Sequence, residues 1–185
     1  MSYYNKEFIL RPKEAYRLIK NCQGCGCKSS FVNTGNYRVN ANGNRVDVWL
    51  IYQCEECKHT YNLTIHERIR PSEVASLDYE RYLANDRELA LQHGMDKNIL
   101  ARNKVEIDWD NISYELEFLR EETKQTSGIL IQNPYNLKIR IDKILSELLP
   151  MNRSKIKKLM KQEAIEVVTD QTQRTIEVIL KEDMV

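Results

Sequence analysis

No stretch of the 185 residues approaches the roughly 20 consecutive apolar positions that a membrane-spanning helix needs. The opening segment, MSYYNKEFILRPKEAYRLIK, carries charges all through its apolar positions and does not read as a secretory leader. The protein is therefore expected to be soluble and cytoplasmic, without a membrane partner. Catalytic signatures are missing too: there is no P-loop, no G-x-G-x-x-G, no G-x-S-x-G and no H-E-x-x-H. The three histidines, His59, His66 and His93, keep no spacing to a nucleophile that would mark a general base. Glu106, Asp108 and Asp110 alternate as on the solvated face of a strand. No catalytic residue and no small-molecule substrate is legible, and a non-enzymatic role is the expectation. Internal repeats and low-complexity tracts are absent. Apolar residues are sparse at 42% and charged residues plentiful at 30%, a balance that suits small units with modest cores.

Cysteine is present, and its arrangement is specific. In a reducing compartment five cysteines point to metal before disulfide. Cys22-x2-Cys25 and Cys54-x2-Cys57, separated by 28 residues, offer four thiolates, the closed tetrahedral set of a structural zinc ion. A catalytic zinc keeps a position for water, and four cysteines leave none. Gly26 suits the tight turn of the first knuckle, where a left-handed residue is often required. Cys27 is surplus; the x2 spacing favours Cys25 as ligand, with Cys27 as the alternative. Zinc bound here supplies folding free energy to a region too small to bury much core.

The surrounding pattern predicts a fold of the α+β class. Residues 7–20 read as a short strand and a turn or helix leading into the first knuckle. Tyr37–Val39 and Val46–Tyr52 read as strands around the NANGN turn, whose Asn42-Gly43 pair tolerates positive φ. Tyr61–Ile65 is a further strand. Pro71-Ser72 starts a helical stretch broken near Asn85-Asp86 and capped at Gly94. Residues 105–119 are ambiguous, since VEIDW alternates like a strand whereas ISYELEFLR fits either period; TSG at 126–128 reads as a joint, and AIEVV and TIEVIL form a terminal hairpin. Three consecutive units are expected: a zinc ribbon of β-hairpins over 1–70, a mainly helical middle segment over 71–127, and a helix pair with a β-hairpin over 128–185.

On NCQGCG, on NYRVNANGNRVDVWLIYQCEEC and on YNLTIHER, residues 8–125 resemble an uncharacterised bacterial zinc-ribbon family, a catalogued domain of unknown function. That resemblance implies a cysteine-bound zinc and little else.

Charge is uneven. The net +1 conceals a local +6 between Lys138 and Lys161, where eight bases face two acids, while residues 163–185 hold six acids and two bases. Within the basic stretch, Ile141, Ile144, Leu145 and Leu148 give one helix over 141–149 an apolar face, and Pro150 closes it. Asn152 caps a second helix over 153–162, whose Ile156, Leu159 and Met160 share a face and leave Arg153, Lys155 and Lys158 outward. Arg140-Ile141-Asp142 with Ile144-Leu145, Arg153-Ser154-Lys155-Ile156, and the strand Ile165–Val168 resemble the RNA-binding domain named after small-subunit ribosomal protein S-four. The resemblance implies a basic surface for structured RNA, lined by Arg140, Arg153, Ser154 and Lys155 and flanked by Lys157, Lys158 and Lys161. Lys143 belongs to the same basic helix pair.

The sequence departs from that family in two places. A glycine usually follows the second helix, and here Glu163 or Ala164 stands there; the usual valine-asparagine-glycine strand end is Val168-Thr169-Asp170. The basic window has no aromatic side chains for stacking single-stranded bases, so folded ribosomal or transfer RNA is the expected partner. The alternative is a protein-interaction adaptor in which the ribbon or the middle segment docks a protein partner.

Overall fold

The computed structural model describes residues 3–74, 76–124, 128–170, 172 and 174–181. The chain forms two compact units: one made of residues 14–111, the other of residues 1–13 together with 112–185. These bounds differ from cuts after 70 and 127, because strands far apart in sequence pair across the second unit.

The 14–111 unit is built on a five-stranded antiparallel sheet. Its strands are β2 (Leu18–Asn21), β3 (Lys28–Asn42), β4 (Arg45–Cys54), β5 (Thr60–Ile69) and the short β6 (Glu106–Ile107), in the order β5-β4-β3-β2-β6. In β4 the period of two is unbroken: Val46, Val48, Leu50, Tyr52 and Cys54 are buried, and the residues between them are not. The Asn42-Gly43 turn joins β3 to β4 with Gly43 at φ 60°. After a 3-10 turn at Pro71–Glu73 come helices α1 (Ser76–Leu83), α2 (Arg87–Met95) and α3 (Lys97–Arg102). The expected break falls at Asn85, whose φ is 52°, and Asp86 caps α2 by accepting from the Leu89 amide at 2.9 Å.

Gly94, expected as the C-cap, is the second-to-last residue of α2, two positions before the cap Asp96, and is buried. A Cβ on it would stand 2.5 Å from the Ala15 Cβ, 2.7 Å from Asn33 Nδ2 and 2.8 Å from the Tyr52 hydroxyl. The glycine lets α2 approach β3 and β4 closely.

The second unit has the sheet order β7-β1-β8-β10-β9, formed by β1 (Tyr3–Pro12), β7 (Tyr114–Lys124), β8 (Gly128–Gln132), β9 (Ile165–Thr169) and β10 (Thr175–Leu180). Only β1 and β8 run parallel; β1 pairs antiparallel with β7, β10 with β8, and β10 with β9. The ambiguous 105–119 region therefore resolves largely into strand, and the terminal hairpin forms as expected. Of the expected joint, Thr126 and Ser127 lie outside the described residues, and Gly128 opens β8.

Helices α4 (Ile141–Leu148) and α5 (Arg153–Lys161) belong to this unit. They place fully buried Ile144, Leu145 and Ile156 in a core shared with Ile129, Ile131, Ile165 and Val178. Asn133, almost fully buried, shapes the loop before α4: it accepts from the Leu137 amide at 2.8 Å and donates to the Leu137 carbonyl at 3.1 Å. No helix among the described residues is long and apolar enough to cross a membrane.

Candidate functional site

The four cysteines sit on two hairpin turns of one sheet. Cys22–Cys27 connects β2 to β3, and the turn from Cys54 to His59 connects β4 to β5. The turns repeat one hydrogen-bond plan. The Gly26 amide donates to the Cys22 carbonyl at 2.9 Å, and Lys58 donates to that of Cys54 at 3.1 Å. The Cys22 amide donates to the Cys27 carbonyl at 2.8 Å, and the Cys54 amide to that of His59 at 2.9 Å. The residue after each second cysteine is left-handed, Gly26 at φ 69° and Lys58 at φ 64°. The sequence marks the first through its glycine and hides the second behind a lysine.

The Sγ atoms of Cys22, Cys25, Cys54 and Cys57 all lie within 4.8 Å of one another, and the group could hold a metal ion. Cys22 and Cys57 sulfurs are 3.4 Å apart, those of Cys25 and Cys54 3.8 Å. A tetrahedron with metal–sulfur arms of about 2.3 Å has edges of about 3.8 Å, so the cluster has the right size. Cys27 is not in it: its exposed Sγ stands 3.7 Å from the Ser29 hydroxyl.

The protonation pattern follows from the turns. Amides of Cys57 and Glu56 point at the Cys54 sulfur and bring its thiol down to about 6 despite burial. Cys25 is pushed up to about 12, chiefly by its hydrogen bond with Cys57 and by burial. Burial likewise raises Cys22, against the pull of the Cys25 and Gly24 amides. Gly24 is an unheralded member of the site, since a Cβ there would stand 2.7 Å from the Cys57 sulfur.

The basic helix pair forms with the expected faces. Ile156 is buried, Leu159 and Met160 are half-buried, and Arg153, Ser154, Lys155, Lys157, Lys158 and Lys161 are exposed. Asn152 caps α5 by accepting from the Lys155 amide at 2.9 Å. The cations fall into two sets. Arg140, Arg153 and Lys157 converge on Asp142, with nitrogen–oxygen distances of 3.2, 2.9 and 3.7 Å. Burial alone would raise the Asp142 carboxyl, but hydrogen bonds from Arg153 and Arg140 and their charges outweigh it and hold the group below the usual carboxylate range. Lys155, Lys158 and Lys161 form the other set, with no ion pair to an acid among the described residues. Lys143 is half-buried, its ammonium 4.9 Å from the centre of the Tyr114 ring, whose hydroxyl donates to Glu147 at 2.6 Å.

Helix α5 ends in a Schellman motif. The Ala164 amide donates to the Leu159 carbonyl at 3.0 Å and the Glu163 amide to that of Met160 at 3.2 Å, with Glu163 itself left-handed at φ 56°. A residue with a side chain thus takes the conformation that glycine adopts most readily.

Fold and site together define a mixed α and β protein, rich in sheet, that carries a possible four-cysteine metal centre. Residues 39–171 match the model of the family described as "Protein of unknown function (DUF1062)", and the chain belongs to that family. The match takes in Cys54, Cys57 and the helix pair and begins after Cys22 and Cys25. No curated protein and no solved structure matches the chain.

Proposed function

We propose that the protein binds structured RNA, ribosomal or transfer, through the α4–α5 helix pair, without catalysis, and that its four-cysteine centre carries a structural zinc ion. The observation that carries the RNA reading is the exposed cation row Lys155, Lys158 and Lys161 beside the Arg140–Arg153–Lys157 cluster. Such a surface draws phosphate without reading sequence, and its affinity falls steeply with salt. The order helix, turn, helix and β-hairpin supports the S-four resemblance. So does the left-handed Glu163, which stands where that family usually carries glycine. Zinc is favoured by four soft thiolates at tetrahedral spacing with no ligand position left for water.

The test is crosslinking of the tagged protein to RNA in its own cells, repeated with Lys155→Glu, Lys158→Glu and Lys161→Glu combined. The wild type should enrich a defined RNA with crosslinks between residues 140 and 161, and the triple variant should lose it while keeping its metal. Equal enrichment by both proteins refutes the proposed surface. A second reading, a protein-docking role, draws on the β7 edge strand, where Phe118 and Leu119 are 53% and 40% exposed. A partner protein retained at high salt, with no RNA enriched, is the result that selects it.

A further inference from the structure

Asp142 lies at the centre of the basic surface, and by simple charge counting it opposes phosphate binding. Its placement says otherwise. It occupies the first turn of α4, its side chain is only 8% exposed, and with Glu7 it is one of two buried charged residues among the described residues. Arg140, the residue capping α4, reaches it through Nε and a terminal nitrogen at 3.2 and 3.4 Å. From α5, Arg153 Nε donates to Oδ2 at 2.9 Å, and Lys157, one turn further along that helix, stands 3.7 Å from the same oxygen. Three cations from two helices are thus tied to one carboxylate that cannot turn away into water.

The tie leaves the cations usable. Arg140, Arg153 and Lys157 keep side-chain exposures of 65%, 45% and 51%. A guanidinium has five N–H donors, and a single carboxylate oxygen engages only part of that fork. The cluster still carries a net charge of two positives. An arginine on a free stem loses its rotamer freedom each time it grips a phosphate; one already held by Asp142 has lost it on folding.

We infer that Asp142 is a positioning residue for the phosphate-binding surface: it preorganises Arg140, Arg153 and Lys157, so that removing its negative charge weakens RNA binding. This inference rests on the RNA reading above. It adds a sign that electrostatics alone gets wrong.

The experiment compares full-length wild type with Asp142→Asn, Asp142→Glu and Glu163→Gln, each shown to be folded and metal-loaded. Affinity for a hairpin RNA is measured from low to moderate salt. In parallel, proton–nitrogen NMR follows the Nε–H groups of Arg140 and Arg153. Glu163 is exposed at the end of α5, so Glu163→Gln adds the same unit of positive charge without touching the cluster. That control should tighten binding slightly, whereas Asp142→Asn should weaken it about tenfold and flatten the log–log salt slope by about one, as expected when fixed phosphate contacts are lost. Asp142→Glu should restore part of both, which a merely structural role would not require of the salt slope. In the wild type the two arginine Nε–H signals should be resolved and slow to exchange, and in Asp142→Asn they should collapse.

If wild type binds and Asp142→Asn binds as tightly as Glu163→Gln, the RNA reading stands and the positioning role is overturned. If wild type binds no RNA although its arginine signals are ordered, the RNA reading fails and the role assigned to Asp142 falls with it.

Discussion

Gly94→Ala separates helix propensity from packing, because the two predict opposite signs. In a helix interior alanine is better than glycine by about 1 kcal/mol, and in the last turn of α2, where Gly94 lies, propensity alone predicts a gain of up to that size. In this protein the new methyl would meet the Ala15 Cβ at 2.5 Å, Asn33 Nδ2 at 2.7 Å and the Tyr52 hydroxyl at 2.8 Å, whereas ordinary contact lies near 3.5–4.0 Å. None of the three gives way freely. Ala15 is 8% exposed and Tyr52 fully buried, and Asn33 is fixed at both ends of its amide. It donates to the Ala90 carbonyl at 2.9 Å and accepts from the Gly35 amide at 2.8 Å. Overpacking of this kind costs about 1–3 kcal/mol, and a strained Asn33 bond adds about 1. Set against the propensity gain, the net loss is about 2 kcal/mol. For a domain of this size that lowers Tm by about 8–16 °C. Both tryptophans, Trp49 and Trp109, belong to the 14–111 unit, so thermal unfolding followed by tryptophan fluorescence reads that unit alone. A transition at the wild-type temperature or above would show that α2 lifts off the sheet without cost and would refute the packing argument.

Two further outcomes are expected. Cys54→Ala, or prolonged chelation of the wild type, should remove one equivalent of zinc. The stability of the 14–111 unit, read from the tryptophan-monitored transition, should then fall by at least the roughly 4 kcal/mol that a ligand held at a thousand times its dissociation constant contributes; a chelated protein melting like the loaded one contradicts a structural metal. Glu163→Gly should stabilise the helix pair by about 0.5–1 kcal/mol, since a non-glycine residue at φ 56° costs about 1–2 and the extra freedom of an unfolded glycine returns part of that. Slower hydrogen exchange of the α5 amides would register the gain, and faster exchange would count against it.

What the sequence made legible was local. Cysteine spacing, the Asn42-Gly43 turn, the branched and aromatic run Val46–Tyr52 and the apolar periodicity of 141–160 are short-range signals, and each corresponds to an element of the fold. What stayed hidden depends on partners far along the chain. Nothing in EFILRP announces that β1 pairs with residues 114–124 on one side and 128–132 on the other. The β7 stretch mixes Glu115, Glu117, Arg120 and Glu121 with Leu116 and Phe118, as an edge strand with one wet face does, and that mixture obscured its period. Gly94 resembled a cap because glycine is commonest there; its role comes from β3 and β4, which lie more than 40 residues upstream. Asp142 counted as one acid among eight bases until the fold placed three of those bases around it.

The pairing of β1 between β7 and β8 has a consequence for the order of assembly. On the ribosome β1 emerges about a hundred residues before either neighbour, with the whole 14–111 unit made in between. Bringing the ends of a flexible loop of that length together costs about 4 kcal/mol in chain entropy. The folded 14–111 unit removes most of that cost in advance, because β2 pairs with β6 and the Asp108 amide donates to the Arg17 carbonyl at 2.9 Å, so its two chain ends already stand together. Within the other unit, the Lys13 amide then meets the Ser113 carbonyl at 3.1 Å and starts the β1–β7 ladder. A metal ion that completes the 14–111 unit would therefore also lower the chain-entropy cost of pairing β1 with β7 and β8, coupling metal loading to closure of a sheet built from the two ends of the chain.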